Sequence, residues 1–247
     1  MSSTPTLTAL ADLPRQLLAS GWAVLSRASL CDLAHLRAST FDAWESLWHD
    51  LPLDRHLRDG GRYRRRRHGG FVVTDRHCAP VPHRPHWQPL EYNALHGGIE
   101  RHFDPLHAQL VADPAWPQLL VALAGVATQI RSAGAWHVEA HPFRIEASDG
   151  IGRPTPEGAH RDGVDLVAVV FVARHNVKGG ETRVFDAHGP HGVRFTLTEP
   201  WSVLLLDDER VIHESTPIQP LDPALPSWRD TLVLTFRQGG FQGPAGD

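Results

Sequence analysis

The sequence has little cysteine and no surplus of positive charge, and each shortage excludes a class of protein. Cys31 and Cys78 are the two cysteines among 247 residues, which is too few for a disulfide framework, and they form no CxxC pair. The formal net charge of -4 argues against a general nucleic-acid binder.

Long apolar runs are also missing. The longest mostly apolar stretch, residues 119–127, is too short to span a bilayer. The first residues lack the basic-then-apolar layout of a secretory signal. We therefore expect a soluble, cytoplasmic protein that has neither a membrane nor a nucleic acid as its partner.

Histidine, by contrast, is abundant. The chain has 17 histidines, which favours metal binding but also makes accidental histidine motifs common. Apolar residues make up 41% and charged residues 21%, so the chain can bury a sizeable core. Its length suits one domain of the larger β type with helical additions, and we expect residues 1–247 to form a single domain.

The first 133 residues predict helices and loops that pack on the outside of the domain. Two short elements open the chain, a helix over 13–20 and a strand over 22–25. An apolar stripe over 30–48 and a patch from Ile99 indicate further helices. Asp113 followed by Pro114 is typical of another helix start. The basic run 62–67 reads either as a solvated loop or edge strand, or as arginines facing an anion.

From residue 134 the pattern changes to strands. Short alternating segments separated by Gly, Pro and Asp turns are typical of a double-sheet barrel or jelly roll. The run 164–173 is almost continuously apolar and rich in valine, which predicts a buried central strand. We therefore predict a mainly β fold, a cupin-like double-stranded β-helix over 134–238, supported by the N-terminal helices.

Two ligands of a metal ion are predicted immediately before that central strand. His160 and Asp162 are two residues apart, so they point to one side of an extended backbone. His213, on a later short strand, can supply the third ligand. Two histidines and one carboxylate leave open positions on an Fe(II) ion. A second His-x-Asp triplet, 102–104, is a decoy by this interpretation, since it lies in a helical-looking stretch.

An anion site is predicted at the start of the last strand. Arg229 and Thr231 share one face of that strand and could bind a carboxylate together, the arginine with two hydrogen bonds. Arg237 has the same parity but lies eight residues along, at the far end of the strand, and is therefore the weaker candidate.

The order of these motifs resembles the Fe(II)/2-oxoglutarate-dependent dioxygenases. Within them, it resembles the bacterial free-amino-acid hydroxylases typified by L-isoleucine dioxygenase. The resemblance covers roughly residues 60–238 and rests on these runs: 143–145, 154–158, 160–165, 176–181 and 229–236.

The resemblance implies roles for the predicted site. His160, Asp162 and His213 would bind Fe(II), while Arg229 and Thr231 would hold the distal carboxylate of 2-oxoglutarate. Oxygen would be the second cosubstrate, with ascorbate helpful in vitro. The expected reaction is hydroxylation of a free L-amino acid with an aliphatic side chain, with release of succinate and CO2. Because position 162 is a carboxylate, no iron position is vacant for a halide, and hydroxylation is favoured over halogenation.

Candidates for binding the amino acid follow from charge. Arg144 is the first choice as partner of the substrate carboxylate, and one of Arg64 to Arg67, represented by Arg66, is the second. Glu157 and Asp165 are candidate acceptors for the ammonium group, although Asp165 could equally orient a metal ligand.

Three alternatives stay open. The same cofactors could perform sulfoxidation, desaturation or cyclisation on another amino-acid-like metabolite. The chain could instead be a non-catalytic metal-binding or ligand-binding jelly roll. It could also be a metal enzyme that does not use 2-oxoglutarate, such as a cupin isomerase, although such sites usually carry more histidines and no dedicated carboxylate-binding arginine.

Overall fold

The computed structural model describes residues 3–244, in which antiparallel strands form three sheets. The strands are β1 (Trp22–Leu25), β2 (Arg64–Arg66), β3 (Gly69–Thr74), β4 (His77–Pro80), β5 (Trp136–Glu146), β6 (Leu166–His175), β7 (Val177–Gly179), β8 (Thr182–Asp186), β9 (Gly192–Phe195), β10 (Val203–Asp207), β11 (Val211–Ser215), β12 (Ile218–Pro220) and β13 (Trp228–Arg237). The large sheet has the order β1-β10-β6-β13-β5-β3-β4, and β2 also pairs with β5. The small sheets have the orders β11-β8-β9 and β12-β7.

Residues 3–244 contain five α-helices, all of them in the N-terminal part of the chain. They are α1 (Leu13–Ser20), α2 (Arg27–Ala34), α3 (Ala38–Glu45), α4 (Ala108–Ala112) and α5 (Ala115–Ile130), with 3-10 turns at Leu10–Asp12 and Ser46–Trp48. The side chain of Asp113 accepts a hydrogen bond from the backbone N–H of Ala115, so the predicted helix start there is confirmed.

Alternation along the strands separates the two faces of the large sheet. On β13, Leu232, Leu234 and Phe236 pack into the main core with the helices. The residues that alternate with them, Thr231, Val233 and Thr235, line a cavity on the other face. One face of the sheet therefore holds the helices, and the opposite face builds the site.

Aromatic side chains join the helices to the sheet. Trp201, fully buried before β10, stacks on Phe41 of α3 with ring centroids 4.8 Å apart. Trp44 and Trp48 each contact Trp201 edge-on, and Trp116 contacts Trp44 in the same way. A smaller apolar core, including Phe171 and Val184, lies between the large sheet and the β11-β8-β9 sheet.

The jelly-roll prediction is confirmed, but the N-terminal part is less helical than expected. Four strands, β1 to β4, come from it and all extend the large sheet. The stripe over 30–48 is not one helix, because His35 takes a left-handed conformation (φ 54°) that ends α2. The helical patch predicted from Ile99 was wrong, since residues 99–107 form no helix and α4 begins at Ala108.

Among residues 3–244, none of the helices combines the length and apolar character needed to cross a membrane.

Candidate active site

A cavity of about 840 Å³, its open mouth included, lies on the face of the large sheet away from the helices. Strands β5 and β13 supply much of its wall through alternate residues. Its lining residues include Arg64, Arg66, His86, Gln88, Arg101, His141, Phe143, Ile145, Glu157, His160, Asp162, Val169, His213, Arg229, Thr231 and Val233.

The three predicted metal ligands meet at this cavity. His160 lies in the loop before β6 and His213 lies on β11, and their backbones exchange N–H···O hydrogen bonds of 3.0 and 2.9 Å. The Nε2 atoms of His160 and His213 lie 3.8 and 3.7 Å from the two carboxylate oxygens of Asp162. Such a cluster of two imidazoles and one carboxylate fits an Fe(II) ion with positions left open.

Neighbouring groups fix the orientation of these ligands. The Nδ1 atom of His160 lies 2.9 Å from the carbonyl oxygen of Gly158, so Nδ1 carries the proton and Nε2 keeps a free lone pair. The Oδ1 atom of Asp162 accepts a hydrogen bond of 3.2 Å from the side-chain amide of Gln88. The carboxylate of Asp208 accepts from the backbone N–H groups of residues 162, 163 and 164.

The protonation states of the groups in and around this cluster favour the binding of a cation. Burial, and then the neighbouring His160, holds the pKa of His213 well below its ordinary value, so its ring is neutral. Burial alone would lower the pKa of His160, but Asp162 and Glu157 together raise it. Burial and the charge of Asp162 raise the pKa of Asp208 to about 7. A divalent cation would offset this crowding of carboxylates.

Arg229 and Thr231 both line the cavity from β13, as predicted from their parity. Both are buried, and within residues 3–244 Arg229 forms no ion pair. Burial, followed by the nearby Arg174, lowers the pKa of Arg229 to about 10. An unpaired guanidinium beside a hydroxyl group fits a ligand carboxylate. Arg237, in contrast, donates to the carbonyl of Gly240 and lines a different depression.

Two of the predicted substrate residues do not reach the cavity. Arg144 lies on the opposite face of β5, where its Nε and Nη2 atoms bind the carboxylate of Asp230 at 2.8 and 2.7 Å. Asp165 binds the backbone N–H of Gln238 through Oδ2, which ties the start of β6 to the end of β13. Both side chains are therefore engaged in contacts that hold the fold together and lie outside the cavity, which contradicts the predicted substrate roles of Arg144 and Asp165.

The other two predicted substrate residues do line the cavity. One carboxylate oxygen of Glu157 lies 3.6 Å from Nε2 of His160, and the other is buried without a hydrogen-bond partner in the described part of the chain. Arg66 is buried and its Nη2 atom lies 2.6 Å from Nδ1 of His141.

The decoy triplet is far less enclosed. The side chain of His102 is 71% exposed and its closest acidic neighbour is Glu100, at 3.8 Å. This residue lacks the arrangement of ligands found around His160.

A second cluster of buried polar groups was not predicted. His68, His86 and His141 surround Glu139, with Nε2 of His68 2.9 Å from its carboxylate. Because Nδ1 of His141 accepts a hydrogen bond from Arg66, its other ring nitrogen carries the proton, and His141 has no free lone pair left for a metal. The alternation of polar residues at 137, 139 and 141 on β5 was the available signal for this cluster.

Comparison with protein families defines the class. The family model described as 2OG-Fe dioxygenase matches residues 45–235, and the chain belongs to this family. The protein is thus a 2-oxoglutarate-dependent non-heme iron dioxygenase, which uses Fe(II), 2-oxoglutarate and O2. This membership sets aside a non-catalytic jelly roll and an enzyme independent of 2-oxoglutarate.

Solved structures place it among similar folds. A bsmA homolog from Methylobium petroleophilum PM1 is 55% identical, with a TM-score of 0.93 over 99% of both chains. IDO from Bacillus thuringiensis has 14% identity and a TM-score of 0.76 over 97% of this chain and 100% of its own. The Fe(II)/alpha-ketoglutarate-dependent dioxygenase TqaL has 19% identity and a TM-score of 0.71 over 92% of this chain and 86% of its own. A search of curated proteins finds no match.

Proposed function

We propose that this dioxygenase hydroxylates a free L-amino acid with an aliphatic side chain, releasing succinate and CO2. In this proposal His160, Asp162 and His213 hold the iron, and Arg229 with Thr231 holds the distal carboxylate of 2-oxoglutarate. The finer family resemblance of the sequence, to free-amino-acid hydroxylases, supports the choice of substrate class. The pair of unlinked cysteines suits a reducing cytoplasm as the site of action.

The observation that carries the proposal is the position of Glu157. Its carboxylate is adjacent to His160 and has an oxygen without a partner among residues 3–244. A buried carboxylate of this kind requires a hydrogen-bond donor or a cation. The ammonium group of an amino acid supplies both, and binding there would bring the neighbouring carbon atoms close to the iron site.

Apolar residues near these charges suit an aliphatic side chain. Phe143 and Ile145 of β5 line the cavity, as do Val169 of β6 and Val233 of β13. When bound, iron with 2-oxoglutarate and O2 supplies the oxidising power to break an unactivated C–H bond. The chain itself binds and orients the substrate through Glu157 and excludes water with its apolar wall.

A product assay tests the proposal. Purified protein is incubated with Fe(II), ascorbate, 2-oxoglutarate and each of a panel of L-amino acids, and succinate is measured together with product mass. We expect substrate-dependent succinate and a product heavier by one oxygen atom for at least one aliphatic member. Failure of every amino acid to stimulate succinate would refute the proposed substrate class, and a product lighter by two hydrogens would indicate desaturation.

A further inference from the structure

Three arginines of the cavity wall are buried without a carboxylate partner in the part of the chain that the structure describes. They are Arg66, Arg101 and Arg229, with exposed fractions of 3%, 1% and 3%. Arg64, which also lines the cavity, differs because its Nε atom binds Asp54 at 2.8 Å. The proposed function assigns 2-oxoglutarate to Arg229, which leaves Arg66 and Arg101 without an anion.

Arg66 is held in place by neutral groups. Its guanidinium lies 4.0 Å from the ring centre of Phe103 and 4.4 Å from that of Phe143. Its Nη2 atom donates to Nδ1 of His141, at 2.6 Å. In the neutral ring of His141 the proton is therefore on Nε2, and no acceptor for it is found among residues 3–244. Arg66 and His141 thus both offer donors at the cavity wall.

Arg101 is linked to the iron site through one side chain. Its Nη2 atom donates to Oε1 of Gln88 at 2.7 Å, and the amide nitrogen of Gln88 donates to Asp162. The Nε atom of Arg101 is buried and lacks a partner within residues 3–244. An anion bound to Arg101 would consequently lie near the metal ligands.

Burying guanidinium groups that have no anion is unfavourable. Burial, and then the charge of Arg64, lowers the pKa of Arg101 to about 10 and that of Arg66 well below its ordinary value. Asp54 and Glu139 act in the opposite direction on both groups, and Glu157 does so on Arg101, without restoring either pKa. The cavity therefore presents positive charge that the fold itself leaves uncompensated.

We propose that Arg66 and Arg101, with the Nε2–H group of His141, form a second carboxylate-binding subsite, separate from Arg229. The substrate would then be a free carboxylic acid, and amides, esters and residues inside a peptide would be excluded. This inference rests on the proposed function and deepens it, since Glu157 and the arginine pair would bind the two charged groups of one amino acid.

A binding experiment tests the subsite without turnover. The protein is loaded with Mn(II) and 2-oxoglutarate, and the panel of L-amino acids is compared with the matching α-carboxamides by calorimetry and thermal shift. We expect an amino acid to bind at least about tenfold more tightly than its amide. Arg66→Gln and Arg101→Gln should each weaken binding of the acid by at least about tenfold. Neither substitution should change the thermal shift that 2-oxoglutarate causes in the Mn(II)-loaded protein before an amino acid is added.

Arg65→Gln is the matched control. Arg65 is the neighbour of Arg66 on β2 but binds Glu146 at 2.8 Å and does not line the cavity. Its substitution should leave the affinity for the amino acid unchanged. Circular dichroism verifies folding. Should a glutamine variant not fold, Arg66→Lys and Arg101→Lys must bind the acid more weakly than Arg65→Lys does, because lysine retains charge without the planar fork.

The outcomes separate this inference from the proposed function. Equal affinity for acid and amide, or wild-type affinity in both glutamine variants, would overturn the subsite even if amino acids are hydroxylated. Binding of the corresponding 2-hydroxy acids but of no amino acid, with the same arginine dependence, would support the subsite and refute the amino-acid substrate. A wild-type protein that binds neither set of acids would also overturn it.

Discussion

At the residue scale, the proposed iron site depends on three side chains brought together from two segments of the chain. His160→Ala and Asp162→Ala each remove one ligand, so we expect loss of turnover and of Mn(II) binding, measured by succinate release and calorimetry. His102→Ala, in the exposed decoy triplet, should leave both unchanged. Loss of turnover and of Mn(II) binding in His102→Ala, with both retained in His160→Ala and Asp162→Ala, would place the metal at residues 102–104.

Asp208 should matter for the metal although it lies outside the proposed ligand set. Its carboxylate accepts three backbone N–H groups of the turn that carries Asp162. Asp208→Asn replaces one acceptor oxygen by a donor, and we expect Mn(II) affinity to decrease by roughly 10–100-fold. Asp207→Asn is the control, because Asp207 is equally buried but binds Arg131. Equal effects of both variants would show a general loss of stability instead.

His86 should make the protein less stable in acid. Burial lowers the pKa of His86 to about 3, although Glu139 acts in the opposite direction. In the unfolded chain the ring takes up a proton below about pH 6.5, so unfolding binds a proton between these values. Stability contributed by His86 is present above pH 6.5 and is lost as the pH falls towards 3.

The pH dependence of urea unfolding measures this effect. His86→Asn removes the titrating ring, so its unfolding free energy should fall less steeply between pH 6.5 and 5, by about 1.4 kcal/mol per pH unit at most. A slope identical to that of the wild-type protein would mean that His86 is already protonated in the folded state.

The sequence predicted the metal cluster better than the substrate residues. His160 and Asp162 needed their spacing and their place before a long strand, because residues 102–104 have the same spacing. His213 needed one later strand. To place Arg144 correctly, one must know which face of β5 meets the cavity. The register between β5 and β13 determines this face, and it pairs Arg144 with Asp230. Arg101 carries no local signal, because its role depends on a loop folding over the large sheet.

At the element scale, the helices stabilise the sheet through a few aromatic contacts. Phe41 of α3 is fully buried against Trp201, so Phe41→Ala should leave a cavity and lower the unfolding free energy by ~3–5 kcal/mol. Leu18→Ala on α1 is the control, since Leu18 is 54% exposed. Urea unfolding followed by tryptophan fluorescence compares them. A loss below about 1 kcal/mol for Phe41→Ala would show that the helix repacks.

Strands were easier to predict here than the limits of helices. The almost continuous apolar run indicated β6, which is buried on both faces between the main core and the smaller one. Alternation indicated β13, which presents one face to the main core. The break between α2 and α3 depends on the left-handed turn at His35, which the apolar stripe across it conceals. The residues from Ile99, predicted to be helical, are instead part of a loop that brings Arg101 to the cavity wall.

At the scale of the whole molecule, the jelly-roll core depends on strands and side chains from the N-terminal part of the chain. Strands β1 and β3 come from the N-terminal part but pair with β10 and β5 of the C-terminal part. Arg66 and Arg101 of the cavity wall come from it as well. Neither the large sheet nor the proposed site is therefore complete within 134–247.

We accordingly predict that the chain folds as one domain and that a fragment of residues 134–247 does not fold alone. Without the N-terminal part, β10 and β5 become open edges and the apolar face covered by the helices is exposed, which favours aggregation. Circular dichroism and thermal unfolding of the fragment test this. A soluble fragment with a cooperative transition would refute the single-domain prediction, whereas recovery of Mn(II) binding only on mixing with residues 1–133 would support it.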